Sequence, residues 1–104
     1  MTKSITVLLG KTAILFRIGQ CKEDHHQMID ESSPQDLWFH LEDFPSSHII
    51  ASVPDDINRE KVKEIIRYGI RLSREKSKHG SDVAVVYRRI RDVQKSNVIG
   101  EVII

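Results

Sequence analysis

The stretch Asp36-Leu37-Trp38-Phe39-His40, followed after four residues by Pro45-Ser46-Ser47-His48-Ile49-Ile50, decides the reading of this chain. It holds the one tryptophan and two of the five histidines. Strict alternation sends Leu37, Phe39 and Leu41 to one face of a strand and Asp36, Trp38 and His40 to the other. With Glu42 to Ser46 as the turn, the chain returns so that His48 lies opposite or near His40 on the same face. The expectation is a β-hairpin carrying an aromatic plate, a carboxylate and two imidazoles.

Working outward, Ile5 to Leu9 and Thr12 to Ile18 read as a first hairpin joined by Gly10-Lys11. The polar segment Gln20 to Gln35 reads as a loop, with at most one helical turn near His25 to Ile29. His48 to Val53 completes the second hairpin, and Pro54 to Asn58 stops it and supplies capping side chains for a helix. That helix runs from about Arg59 to Lys78 and stops at His79-Gly80. Its apolar face is Val62, Ile65, Ile66, Gly69, Ile70 and Ser73. Glycine inside a helix costs about 1 kcal/mol against alanine, so close packing at Gly69 is the expected compensation. Asp82 to Tyr87 reads as a largely buried strand, with Ile90 to Val93 and Val98 to Ile103 as final strands. The class is α+β: a mainly antiparallel sheet of two hairpins plus C-terminal strands, with one long helix packed on it.

At 104 residues the chain has room for one core, so residues 1–104 are expected to form a single domain. No apolar run approaches the eighteen or so residues of a membrane span, and the amino-terminal segment is too short in its apolar part for a signal peptide. The single cysteine, Cys21, forbids an internal disulfide and suits a reducing compartment. A cytoplasmic location with no membrane association is expected. The overall charge of +1 hides an asymmetry: residues 1–58 carry four Lys/Arg against nine Asp/Glu, and residues 59–104 carry twelve against six. Such a split points to an anionic partner for one part of the surface.

The predicted helix carries that signal in its spacing. Lys63, Arg67, Arg71, Arg74 and Lys78 fall 4, 4, 3 and 4 residues apart and form one stripe along the helix. Such a stripe can track a phosphate backbone, each neutralised phosphate releasing a counterion. Against this stands a plain solvated face, since Glu60, Glu64 and Glu75 lie within i, i+3 or i, i+4 reach of the cations. Arg88 and Arg89, with Arg91 and Lys95, add a second basic cluster. In the hairpin, Trp38 is either a base-stacking plate or core. Asp36 either orients an imidazole of His40 or His48 or caps a turn after Pro34.

Catalysis and metal binding find little support. Ser47 and His48 are adjacent in a strand and point to opposite faces, so they form no dyad. No Gly-x-Ser-x-Gly elbow is present, and Gly10-Lys11-Thr12 lacks the preceding glycine of a phosphate loop. His40 and His48 lack a third ligand at a recognised zinc spacing, even with His25-His26 in the nearby loop. No cofactor and no metal are expected.

The hairpin resembles the NFACT-R domain family, whose pattern is Asp-x-Trp-Phe-His, a short gap, then Pro-Gly-Ser-His and an apolar strand. Here Ser46 stands where the family usually has glycine. Gly19 to Asp24 resembles the family's Gly-Lys-x-x-x-Asn-Asp segment, with Glu23 in place of the asparagine. Val83 to Tyr87, Val93-Gln94-Lys95 and Gly100-Glu101-Val102 resemble its later elements, so nearly the whole chain is covered. The resemblance implies a non-catalytic nucleic-acid-binding module, with RNA (tRNA or ribosomal RNA) the leading partner and DNA left open. It implies a place beside the ribosome in rescue of stalled translation. It implies a shared surface of Asp36, Trp38, His40, Ser47 and His48 next to the helix cations. The alternative is a protein-interaction module docking through the Trp/His hairpin face or a sheet edge, including homodimerisation through the terminal strand.

Overall fold

The structure, a computed structural model, describes residues 2–42, 46–76, 83–95 and 102–103. Strands β1 (Lys3–Leu9) and β2 (Thr12–Ile18) form the first hairpin, with Leu9 paired to Thr12. Gly10 closes it in the left-handed region, at φ 65°, where a side chain would be strained. Helix α1 (Lys22–Glu31) follows, then β3 (Leu37–Leu41), β4 (Ile49–Ala51), α2 (Arg59–Glu75) and β5 (Val85–Arg89). A single 3-10 turn spans Ile90–Asp92, and β6 (Gln94–Lys95) pairs with β7 (Val102–Ile103) in a small second sheet. The main sheet is fully antiparallel in the order β1-β2-β4-β3-β5.

Alternation sorts the core as the hairpin sequence requires. Leu37 and Phe39, with Ile49 and Ala51, join Ile14 and Phe16 on the face covered by α2, where Ile65 and Leu72 meet them. Trp38 and Ile50 lie on the other face with Met28, Ile29 and Ile90. Asn58 caps α2, its side-chain oxygen accepting the Lys61 N–H at 2.8 Å. Gly69 sits directly over the Phe39 ring, close enough that an added Cβ would overlap it. The missing side chain lets the helix lie down on the sheet.

Four expectations are corrected. The segment read as a loop holds the ten-residue helix α1, so the sheet is covered on both faces. Asp24 accepts the Gln20 N–H at 3.0 Å at the start of α1, and the acidic first turn suits the helix dipole. Met28 and Ile29 then pack under Trp38. The strand expected at Asp82 to Tyr87 begins later, at Val85, and is a half-exposed edge rather than buried. The strand expected at Ile90 to Val93 is the 3-10 turn. Of the strand expected at Val98 to Ile103, only Val102 and Ile103 are among the described residues. Helix α2, expected to reach about Lys78, ends at Glu75 with Lys76 as its C-cap; the expected stop at His79-Gly80 lies outside the described residues.

A candidate nucleic-acid interface and a buried histidine cluster

The hairpin register pairs Leu37 with Ala51, Trp38 with Ile50 and Phe39 with Ile49. Continued by one residue, it brings His48 opposite His40, and their rings meet edge-on with centroids 4.9 Å apart. Trp38 stacks on His40 at 5.7 Å and donates its indole N–H to Nδ1 of His48 at 3.2 Å. Accepting at Nδ1 leaves the proton of neutral His48 on Nε2. From α1, His25 stacks flat on His48 with centroids 3.8 Å apart. Gly19 makes room for this, because a Cβ there would meet His25 and the Met28 sulfur. Its N–H donates to the His48 carbonyl at 2.9 Å.

The cluster is built inward. Trp38 is 2% exposed and His48 4%, so neither offers a free ring face. Burial, reinforced by the charges of His25, His40 and His26, pushes the His48 pKa down to about 3. Burial also lowers His40, against the opposing pull of the Leu41 carbonyl and the Ser46 contact. Among the described residues no group of three or more His, Cys, Asp or Glu is arranged to hold a metal ion. Asp36 takes the turn-capping role: its two oxygens accept the N–H groups of Ser33 and Val53, each at 2.9 Å. Ser46 Oγ accepts the Leu41 N–H at 3.2 Å and donates to the Ser47 carbonyl at 3.4 Å, with Ser47 half-buried on entry to β4.

The cations of α2 divide. Lys63, Arg67 and Arg71 are exposed along one line of the helix. Lys63 has Glu60 at 3.6 Å, and Arg71 has Glu75 at 3.5 Å with its guanidinium 5.3 Å from the Tyr68 ring centre. These exposed pairs are weak and leave the cations free to exchange partners. Arg67 has no ion pair among the described residues. Arg74 turns inward, its Nε donating to the Val83 carbonyl at 2.9 Å, and Lys78 lies outside the described residues.

The second basic segment does not extend this line. Arg88 pairs across from Trp38 and so belongs to the α1 side of the sheet; Arg89 pairs across from Leu37 on the α2 side. Arg89 spends one guanidinium N–H on the Gln35 carbonyl. The sheet therefore separates Arg88 from the helix cations. The signal that sequence reasoning missed is His25, whose position six residues after Gly19 places it on the His48 ring once α1 forms.

No family model matches the chain. The Rqc2 homolog RqcH of Bacillus subtilis (strain 168) is 29% identical over 98 residues, covering 92% of this chain. The match takes up 15% of that protein's length, so the chain corresponds to a small part of its relative. The structure of the C-terminal of the fibronectin/fibrinogen-binding protein from Streptococcus suis superposes with a TM-score of 0.76. It is 21% identical, and the match covers 97% of this chain and 41% of that one. The α+β fold is thus shared with a known structure.

Proposed function

We propose that this chain is a non-catalytic RNA-binding module of the NFACT-R type that works in the cytoplasm beside the ribosome, in translation quality control. The observation that carries the nucleic-acid reading is the solvent-facing line of Lys63, Arg67 and Arg71 on α2. The line spans about 12 Å at 1.5 Å per residue, matching two to three successive phosphates. The resemblance of the Trp-Phe-His and Ser-His motifs to that family, together with the similarity to RqcH, supports the ribosomal setting. In this reading Lys63, Arg67 and Arg71 contact phosphates. The Trp38, His40 and His48 cluster holds the hairpin and α1 in place rather than stacking on bases. No membrane partner enters the reading, and no described helix is long and apolar enough to cross a bilayer.

The test is fluorescence anisotropy with labelled tRNA and a single-stranded oligonucleotide over 50 to 200 mM salt. Three phosphate contacts give a slope of log K against log salt of about −2 to −2.7, or roughly 15- to 40-fold across that range. Arg67→Glu/Arg71→Glu should abolish most of the affinity and flatten the slope. Unchanged binding in that variant refutes the phosphate role.

A further inference from the structure

In sequence Trp38 is the candidate plate for a stacked base, but the structure buries it. The ring left to solvent is Tyr87, 41% exposed and the only exposed aromatic among the described residues. It lies on β5, an edge strand of the main sheet. Tyr87 pairs across from Phe39, so its side chain stands on the α2 side. The two ring centroids are 6.3 Å apart, and Phe39 lies directly beneath Gly69. Tyr87 therefore stands beside the middle of α2. A single exposed tyrosine is ordinary; the cations around this one set it apart.

The two flanks of α2 differ in what they touch. Lys61 donates to the Leu9 carbonyl at 2.7 Å, and Tyr68 packs on Phe16 with centroids 5.2 Å apart, so one flank faces β1 and β2. Glu64 belongs to this flank, 2.6 Å from Lys61. Arg74 donates to the Val83 carbonyl at 2.9 Å, just before β5, so the other flank faces the Tyr87 edge. Lys63 and Arg67 precede Arg74 by 11 and 7 residues. At about 100° per residue, both fall within about 20° of it around the helix. Both are exposed and lean over the same edge as Tyr87. Arg67 lies two residues before Gly69, about 3 Å along the helix axis, so it is level with the Phe39–Tyr87 pair to within a turn. Arg89 follows Tyr87 on the same face of β5, about 7 Å along the strand. The ring is thus set between cations of the helix and a cation of its own strand.

We propose that Tyr87 stacks an unpaired base while Lys63 and Arg67 hold the phosphates beside it, so that the RNA taken by this surface is single-stranded. The proposal rests on the RNA reading above and adds the strand class to it. A cationic line alone serves duplex and single strand alike, because both present phosphates. A ring set between cations selects, because a base lies on a side chain only when it is free of its pairing partner. Among the described residues no further strand pairs with β5 on its outer side. A splayed base reaches the ring from there while its backbone follows α2.

The probes are fluorescein-labelled decauridylate, a blunt RNA duplex of the same length and an abasic ribose-phosphate decamer. Each is titrated with the full chain by anisotropy over the salt range given above. Tyr87→Leu keeps an apolar contact for Phe39 and removes the ring. It should weaken decauridylate about tenfold, within the range of one stacked base, and leave the duplex affinity and the salt slope unchanged. Tyr87→Phe and Tyr87→Trp should bind decauridylate as the parent does, and circular dichroism checks that each variant is folded. The abasic decamer has the same charge without bases, and should bind the parent chain about tenfold more weakly than decauridylate, a readout that depends on no variant. Equal binding of the abasic decamer, parent-like binding by a folded Tyr87→Leu chain, or an equal loss on the duplex overturns the proposal. Arg67→Glu/Arg71→Glu separates the two failures. If that charge reversal still abolishes binding, the phosphate contacts stand without the stacked base; if the parent chain binds none of the three probes, both readings fall.

Discussion

Acidification from pH 7 to pH 5 should destabilise the folded chain by about 2 kcal/mol through His48 alone. His48 is buried against Trp38, whose indole N–H occupies Nδ1, and the charged groups acting on it are the imidazoles of His25, His40 and His26. Protonation must break the indole hydrogen bond and place a cation among imidazoles, and burial holds the folded pKa near 3. In the unfolded chain the same ring titrates near 6.5. Between about 6.5 and 3 the unfolded state therefore binds a proton that the folded state does not. Stability rises with pH across that window: the contribution is fully present above it and is lost as pH falls through it. Each unit well below 6.5 costs about 1.4 kcal/mol, and the rounded shoulder near 6.5 reduces the two-unit step to about 2 kcal/mol. His40, also lowered by burial, adds in the same direction.

Trp38 is the only tryptophan, so urea unfolding followed by its fluorescence reads the cluster directly. His48→Gln keeps a side-chain acceptor for the indole N–H but removes the titrating group. The variant should be less stable at pH 7, and its stability should fall less between pH 7 and pH 5 than that of the parent chain. Parallel pH profiles for the two proteins would refute the assignment of the slope to His48, whatever their absolute stabilities.

Two packing predictions test how the fold holds its hairpin. Gly69→Ala in an open helix would stabilise by about 1 kcal/mol, but here the new methyl meets the Phe39 ring. A net loss of about 1–3 kcal/mol is expected from overpacking, relieved by Phe39→Leu in the double variant; a more stable Gly69→Ala chain in urea titration would contradict the close approach. Asp36→Ala strips the acceptor from the Ser33 and Val53 N–H groups and should cost about 2–4 kcal/mol, with Asp36→Asn intermediate. Thermal melts that place Asp36→Ala within 1 °C of the parent would show that neither bond matters.

Much of the architecture was legible because one face of each strand is buried and the side-chain period is two. Leu37 and Phe39 set the inward face of β3, and a turn placed at Glu42 to Ser46 set the return, so the pairing of the hairpin followed. Gly69 announced its close contact through the helix propensity it sacrifices. Helix α1 was not legible, because its burial rests on Met28 and Ile29 with Asp24 and the ring of His25, too little for a hydrophobic period to show. Such a helix is held by its partners more than by its own pattern. The 3-10 turn at Ile90–Asp92 was hidden for a related reason. Ile90 is buried, and the N–H groups of Ile90 and Arg91 bond to the carbonyls of Asp36 and Pro34, tertiary contacts that no local pattern encodes.

The same physics explains why the hairpin motif says more about fold than about chemistry. An aromatic, two imidazoles and a carboxylate on one hairpin resemble a reactive surface in sequence. Once α1 folds over them, the indole N–H is satisfied by His48, one face of the His48 imidazole is covered by His25, and the Asp36 oxygens are satisfied by backbone. The Trp38 indole with Nδ1 of His48, and the two Asp36 oxygens with the Ser33 and Val53 N–H groups, satisfy one another where burial would otherwise strand them. The Lys63, Arg67 and Arg71 line obeys the opposite logic: its cations are left to solvent because no described element packs outside α2. Substitutions in the hairpin cluster should therefore be read out first in stability, and substitutions in the helix line first in binding. An Arg67→Glu chain that melts like its parent but loses RNA, beside a His48→Gln chain that binds RNA when folded but melts earlier, is the pair of results this division requires.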